Sequence, residues 1–449
     1  MTATNTITPR VFAVWWKDLH RWGVKSFQFS QWQWPPGVIK KLTFAMERIC
    51  EPVDKASFNL MPEHFLSLRF TGEVELRELH GKSEFKGTLF FARAGDIIYS
   101  KIDVRNGAIG IVPAEVPVAT VTSEFPVYRI KKHVALPEYI QLVFRTEHFR
   151  RIINGMVSGT SGRKRVQPDD LENVEVPLPP LAEQKAIVAR WQKAQQAVDA
   201  ARGGLSKPVR FLNGHLTEVY RSTCTRDVIH SRCFVLDFKE LATWDVKSGR
   251  AASFRLACPS FRPMGDFIEE ATEPVRPATE PEKDWPVYGV NNKEGVFLNS
   301  HQKGSTFNAP YKRIRKDWFF HNPTRCNVGS LGIVPDVPED AITSPEYQVW
   351  RLKPYASQPL LSGYVACLIQ TPFFLDLVQF NRVGAVKQRM YTENLMQVHI
   401  PYLPVPEQQR YADDREKAIT IHTAAKRYLD DARKEVEALI LGTKKVSEL

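Results

Sequence analysis

The stretch GAIGIVP occupies Gly107–Pro113, and GSLGIVP returns at Gly329–Pro335, 222 residues later in a chain of 449. An echo at half the chain length points to an internal repeat, which has to be settled before any motif is weighed. Four further blocks answer one another at nearly the same offset. KDLHRWGVKS (Lys17–Ser26) pairs with KELATWDVKS (Lys239–Ser248), and EPV at Glu51 with EPV at Glu273. TSEFPVYRI (Thr122–Ile130) pairs with TSPEYQVWRL (Thr343–Leu352), and VEVPLPPLAEQ (Val174–Gln184) with VHIPYLPVPEQ (Val398–Gln408). Five collinear blocks make the chain a tandem duplication of a unit of roughly 220 residues.

Each unit reads in two parts. The first carries short β-rich runs such as DIIYSKI and TVTSEFPVYRI broken by Gly, Pro and Asn turns, with PEYIQLVFRTEHFRRII (Pro137–Ile153) the clearest helix. That is a mixed α+β domain. The second part follows the Pro-rich LPPLAEQ. There, apolar residues fall at Ile187, Trp191, Ala194, Val198, Ala201, Leu205, Val209, Leu212, Leu216 and Val219, a heptad seam with one stutter. The second unit gives Ile421, Ala425, Tyr428, Ala432, Val436 and Leu439. Pro179 and Pro180 suit a helix start, and Glu183 with Gln184 suits a first turn, where the dipole and free N–H groups favour them. Two such narrow seams can bury each other, which predicts an antiparallel two-helix coiled coil between two tandem domains, with pseudo-two-fold symmetry. Gly203, Gly204 and Pro208 interrupt the first helix and predict a break near 203–208. The expected divisions are domain one at 1–178, spacer helix one at 179–230, domain two at 231–402 and spacer helix two at 403–449. A Trp-rich lead-in (Trp15, Trp16, Trp22, Trp32, Trp34) reads as core or as partner surface.

The charge balance, 61 Lys and Arg against 50 Asp and Glu for a net +11, favours polyanionic partners such as nucleic acid. The longest apolar runs, such as GYVACLIQ (Gly363–Gln370), fall well short of the ~20 residues of a membrane span. No signal peptide is read at the N-terminus. Six cysteines without CxxC or metal-ligand spacing read as scattered thiols in a reducing compartment, giving a cytoplasmic expectation.

No stretch carries catalytic chemistry. Pro168-Asp169 with Glu183-Gln184-Lys185 fits a loose metal-nuclease pattern, but Pro177, Pro179 and Pro180 interrupt the hairpin it needs, and the second unit lacks both Asp and Lys. GTSGRKR (Gly159–Arg165) has no G-K-[ST] and is not a P-loop. HNPT at His321 resembles an adenine methyltransferase motif without its stacking aromatic or a Gly-rich cofactor loop. Basic residues, by contrast, recur at matching places. Arg163, Lys164 and Arg165 in one unit answer Arg382, Lys387 and Arg389 in the other, each beside a glycine, as phosphate contacts would be. KIDVRNG (Lys101–Gly107) answers NPTRCNVG (Asn322–Gly329). Lys101, Arg105 and Asn106, then Arg325 and Asn327, are residue types suited to base edges, or else to a plain polar turn.

GDIIYSKIDVRNGAIGIVP, TSEFPVY and NVEVPLPPLAEQKAIVAR, echoed by RPMGDFI and HIPYLPVPEQQ, resemble the specificity (S) subunit of type I restriction–modification systems over nearly the whole chain. The resemblance implies a non-catalytic, sequence-specific DNA-binding subunit for phage defence. Each target recognition domain would read one half of a split double-stranded target, with the helices as a ruler. Two methyltransferase (modification) subunits and restriction/translocase subunits would dock on it. S-adenosylmethionine, ATP and Mg would belong to those partners, with no cofactor on this chain. A DNA-binding scaffold of another defence or modification system is the alternative. KKLTFAM (Lys40–Met46) departs from the Gly-Asp of RPMGD at the equivalent place.

Overall fold

A computed structural model describes residues 32–54, 56–58, 64–76, 87–156, 165–231, 233–240, 245–355, 358–384 and 387–448. The Lys17–Ser26 block, Trp15, Trp16, Trp22, Arg163 and Lys164 lie outside the described residues. The chain divides into two compact units, residues 1–197 with 426–449, and residues 198–425.

The first unit contains β1 (Ile39–Lys41), β2 (Met46–Ile49), β3 (Leu66–Leu68), β4 (Val74–Leu76), β5 (Leu89–Arg93), β6 (Ile97–Tyr99), β7 (Ile109–Ile111), β8 (Val118–Thr122), β9 (Val127–Ile130) and β10 (Glu175–Pro177). Interleaved are helices α1 (Leu42–Ala45), α2 (Pro137–Arg145), α3 (Glu147–Met156) and α4 (Pro168–Glu172), and the first long helix, α5 (Leu181–Thr223), follows. Strands β2, β9, β6 and β7 form an antiparallel sheet in that order. Ile97, Ile98 and Tyr99 are all buried because β6 is covered on both faces. Ile97 and Tyr99 join the larger core with Tyr139, Ile140 and Val143 of α2, while Ile98 joins a smaller one with Ala119 and Val121. A continuous apolar run is what such a strand requires. Strand β5 pairs with β8, Pro52 bridges Phe90, Phe65 bridges Thr120 in parallel, and β3 with β4 makes a hairpin. Trp32 is buried and Trp34 half-buried, and their indoles donate to the carbonyls of Glu175 and Ile440 (both 2.8 Å). Both therefore belong to the core.

The second unit contains β11 (Arg262–Pro263), β12 (Ile268–Glu270), β13 (Pro274–Val275), β14 (Asp284–Asn291), β15 (Gly295–Lys303), β16 (Tyr311–Arg313), β17 (Phe319–His321), β18 (Leu331–Ile333), β19 (Ile342–Thr343), β20 (Gln348–Leu352) and β21 (His399–Ile400). Its helices are α6 (Val246–Ala257), α7 (Ser362–Leu368), α8 (Pro372–Asn381) and α9 (Thr392–Met396), with the second long helix, α10 (Val405–Leu441), after them. The sheet β12-β20-β17-β18 repeats β2-β9-β6-β7 strand for strand. A five-stranded sheet, β13-β16-β19-β14-β15, completes the unit. Its parallel pair Val287–Ile342 matches Phe65–Thr120, and Pro274 on β16 matches Pro52 on Phe90. The duplication read from GIVP thus holds at the level of individual strand pairs.

Each long helix starts on a buried glutamine. The Gln184 side chain, fully buried, accepts from the Leu136 amide (2.9 Å) and donates to the carbonyls of Val134 (3.0 Å) and Pro179 (2.8 Å). Gln408 does the same toward Leu361 (2.9 Å), Pro359 (3.4 Å) and Leu403 (2.8 Å). The glutamine thus lies in the first turn, as expected from the sequence, and its side chain also clamps the helix onto the domain.

Within the first unit, Arg190 of α5 lies over the Tyr428 ring (4.6 Å) and pairs with Glu435 (2.5 Å) of α10. Within the second, His215 of α5 meets the Tyr411 hydroxyl (3.0 Å) and Glu407 (3.5 Å) of α10. The early part of each helix meets the late part of the other, so the pair is antiparallel, as the two seams predict. Two details differ. The expected break at 203–208 is absent, since α5 runs unbroken from Leu181 to Thr223 with Pro208 inside it. The local cost, ~1 kcal/mol per Gly and ~3 kcal/mol for Pro, is offset by Val198, Leu212 and Leu216, buried on either side at ~1.5–3 kcal/mol each. Ile421 is 61% exposed. The seam of α10 steps back from Ala425 through His422, Ala418 and Arg415 to Tyr411 instead.

The cysteines are not all separate thiols. Cys224, just past α5, and Cys258, just past α6, form a disulfide where the Thr225 amide meets the Ala257 carbonyl (2.9 Å). Cys50 and Cys233 are exposed, and Cys326 and Cys367 buried. No single described helix is long and apolar enough to cross a membrane.

Candidate nucleic-acid interface

In the first unit β6 turns back into β7 through a tight loop. The Asp103 amide donates to Ser100 Oγ (3.1 Å), Asn106 Nδ2 donates to Asp103 Oδ1 (3.4 Å), and Gly107 closes the turn at φ 101°. Only glycine adopts that conformation cheaply. The turn leaves Asn106 exposed and Arg105 half-buried, and Arg105 Nε has no partner among the described residues. Lys101 is fixed through its main chain, its amide donating to the Glu124 carbonyl (3.1 Å) and its carbonyl accepting from the Val166 amide (2.9 Å). That second bond carries Arg165 to Glu124, with which it forms an ion pair (3.2 Å). Lys101, Arg105, Asn106 and Arg165 therefore share one neighbourhood.

The second unit repeats the turn with Gly329 at φ 87°, Arg325 exposed and Asn327 half-buried. Here the chain after α8 folds onto it. The Met390 amide donates to the Pro323 carbonyl (2.9 Å), and Val383 and Arg389 exchange amide and carbonyl (2.9 and 2.8 Å). Arg382 Nη2 donates to the carbonyls of Gln388 (2.8 Å) and Thr324 (3.3 Å), so this guanidinium holds the loop against the turn. Lys387 is exposed, and Arg389 Nη1 donates to the Tyr391 hydroxyl (3.3 Å), which raises the Arg389 pKa. Sequence reasoning missed Lys247, in the first turn of α6. Burial and the Arg382 charge pull its pKa below the usual lysine value, against the opposing effect of Asp245. The repeated VKS ending of the Lys17–Ser26 and Lys239–Ser248 blocks was the available signal. Cations gathered this closely favour an anionic ligand.

HNPT has a structural role. His321 is fully buried, its Nδ1 accepting from Trp350 Nε1 (3.2 Å) and its Nε2 facing the Met390 carbonyl (2.9 Å). Those partners fix the neutral imidazole with the proton on Nε2, and burial lowers its pKa to about 4. The same burial pushes the Cys326 thiol up to about 12, leaving it unreactive. Among the described residues no His, Cys, Asp and Glu side chains gather as metal ligands would.

A family model described as "Type I restriction modification DNA specificity domain" matches residues 78–201. The EcoAI specificity subunit of Escherichia coli is 26% identical over 171 residues, 37% of this chain and 28% of that protein. The EcoEI specificity subunit of Escherichia coli is 27% identical over 173 residues, 38% of this chain and 29% of that protein. The matched stretches thus span less than a third of either relative. Among solved structures, the S subunit from M. genitalium superposes with a TM-score of 0.39 at 13% identity, covering 90% of this chain and 94% of that one. The HsdS subunit from Thermoanaerobacter tengcongensis gives 0.31 at 16% identity, covering 91% and 95%. The motifs, the domain model and the curated relatives agree that this chain is similar, over residues 78–201 above all, to the DNA specificity domain of type I restriction–modification systems.

Proposed function

We propose that this chain selects the DNA sequence for a type I restriction–modification complex, each of its two repeats reading one half of a split double-stranded target. The observation that carries the reading is the recurrence of one turn, Asp103–Gly107 and Arg325–Gly329, with basic and amide side chains around it in both units. One site would suffice for a continuous target; two copies suit two half-sites. Arg165, Lys387 and Arg389, with Arg163 and Lys164, contact phosphate, while Arg105, Asn106, Arg325 and Asn327 face base edges. Arg382 and Lys247 hold and charge the second site. Domains at 1–178 and 231–402 read DNA, and spacer helices at 179–230 and 403–449 set the distance between half-sites.

The chain does no chemistry itself in this reading. Two modification subunits and the restriction/translocase subunits dock on it and bring S-adenosylmethionine, ATP and Mg, all in the cytoplasm. A scaffold of another modification system would bind DNA equally well but would not direct adenine methylation by such partners.

Binding measured across a salt series tests the reading. Lys387→Ala with Arg389→Ala should weaken binding to all sequences alike and reduce the salt slope by roughly two, one per lost phosphate contact. An unchanged slope would remove this loop from the interface.

A further inference from the structure

The glycines of GAIGIVP and GSLGIVP have a second use, as the seat of a β-hairpin. In the first unit a Cβ on Gly107 would collide with the Phe70 carbonyl oxygen, and one on Gly110 with the Gly72 carbonyl oxygen, so the tip of the β3–β4 hairpin lies directly on this turn. In the second unit a Cβ on Gly329 would lie 3.4 Å from Asn292 Cβ, and one on Gly332 3.3 Å from the Val296 nitrogen. The tip of the β14–β15 hairpin occupies the corresponding seat. The two hairpins are equivalent elements: each starts from the matching parallel contact, Phe65–Thr120 or Val287–Ile342, and each tip ends on a left-handed glycine, Gly72 (φ 80°) or Gly295 (φ 69°).

The seat repeats but the tip does not. Arg69, Phe70, Thr71 and Glu73 are exposed on the first tip, and Asn292, Lys293 and Glu294 on the second. Phe70 is 62% exposed at this tip. Asn291 is committed to the fold, its Oδ1 accepting from the amides of Lys293 (2.8 Å) and Glu294 (2.7 Å), which leaves the next three side chains outermost. A fixed mount with different side chains in each copy is what two readers of two different sequences need.

We infer that the tips 69–73 and 291–295 are the groove-entering elements that determine the base sequence of the two half-sites. The inference rests on the DNA-reading assignment above. A two-stranded ribbon fits the major groove. Arg and Lys there read guanine, Asn reads adenine, Glu accepts from cytosine and an apolar ring contacts the thymine methyl. Each tip lies beside the turn that carries Arg105 and Asn106, or Arg325 and Asn327.

The test uses the full chain reconstituted with its modification subunits, reading out the methylated sequence and the affinity for it. Asn292→Ala with Lys293→Ala should reduce discrimination at one half-site by about tenfold or more, the loss expected for a bidentate base contact, and leave the other half-site unchanged. Arg69→Ala with Phe70→Ala should do the converse. Lys293→Arg should retain the wild-type sequence, which separates contact chemistry from misfolding of the tip. A wild type that selects a bipartite sequence while both tip variants select it unchanged would overturn the inference alone. Tip variants that keep DNA selection but fail to assemble with modification subunits would overturn it in favour of a protein contact. A wild type without sequence preference would overturn both readings.

Discussion

Gln184 and Gln408 each satisfy three main-chain groups at a place where water is excluded. Removing a buried partner strands the groups it served, at about 1–3 kcal/mol for each unsatisfied donor or acceptor. Gln408→Ala should therefore lower second-unit stability by about 2–4 kcal/mol in denaturant melts, whereas Gln409→Ala, on the exposed neighbour, should be close to neutral. The repeated Pro-x-x-Glu-Gln was plain in the sequence. Its purpose was not, because spacing alone cannot separate a glutamine facing solvent from one facing a loop brought up from about fifty residues away. His321 makes a second residue-scale prediction. Its folded pKa of about 4 lies below the unfolded value of 6.5, so its neutral form contributes stability that is complete above pH 6.5 and lost as pH falls toward 4. The loss in that window should be about 3 kcal/mol, and His321→Gln should flatten it in pH-dependent melts. A slope that survives the substitution would assign the titration elsewhere, His148 being the other strongly depressed imidazole.

At the scale of elements, the heptad seams were legible because period alone specifies which face of a helix is buried. The uninterrupted course of α5 was not, because propensity records the local cost at Gly203, Gly204 and Pro208 and says nothing of the packing on both flanks. Apart from the helix's own neighbouring backbone, no described atom lies within 4 Å of where a side chain at Gly203 or Gly204 would begin. Gly203→Ala and Gly204→Ala should therefore stabilise the chain by up to ~1 kcal/mol each, raising its melting temperature without changing the DNA sequence it selects. The hairpin tips escaped the sequence reading for the opposite reason. They share a mount and a left-handed glycine but no stretch of aligned side chains, so a search for repeats passes over them. Four residues inserted in α10 lengthen it by ~6 Å, close to two base-pair steps of ~3.4 Å. Methylated sites of such a variant should keep both half-sequences with a wider gap. An unchanged gap would make the helices docking surface without a measuring role.

For the whole molecule, the duplication is the feature that sequence and structure state most alike. Five sequence blocks correspond to a four-stranded sheet built twice in the same order, with the turn Asp103–Gly107 matched by Arg325–Gly329. The charged loops were legible only in part, since Arg382 proves to brace its own loop and Lys247 comes from a helix distant in sequence. The central claim is that each repeat reads its half of the target independently. Exchanging residues 1–178 for the corresponding domain of another specificity subunit, then sequencing the methylated sites made by the reconstituted complex, tests it most directly. The account predicts a new sequence in one half-site, with the other half-site retained; a change in both halves, or in neither, would contradict it.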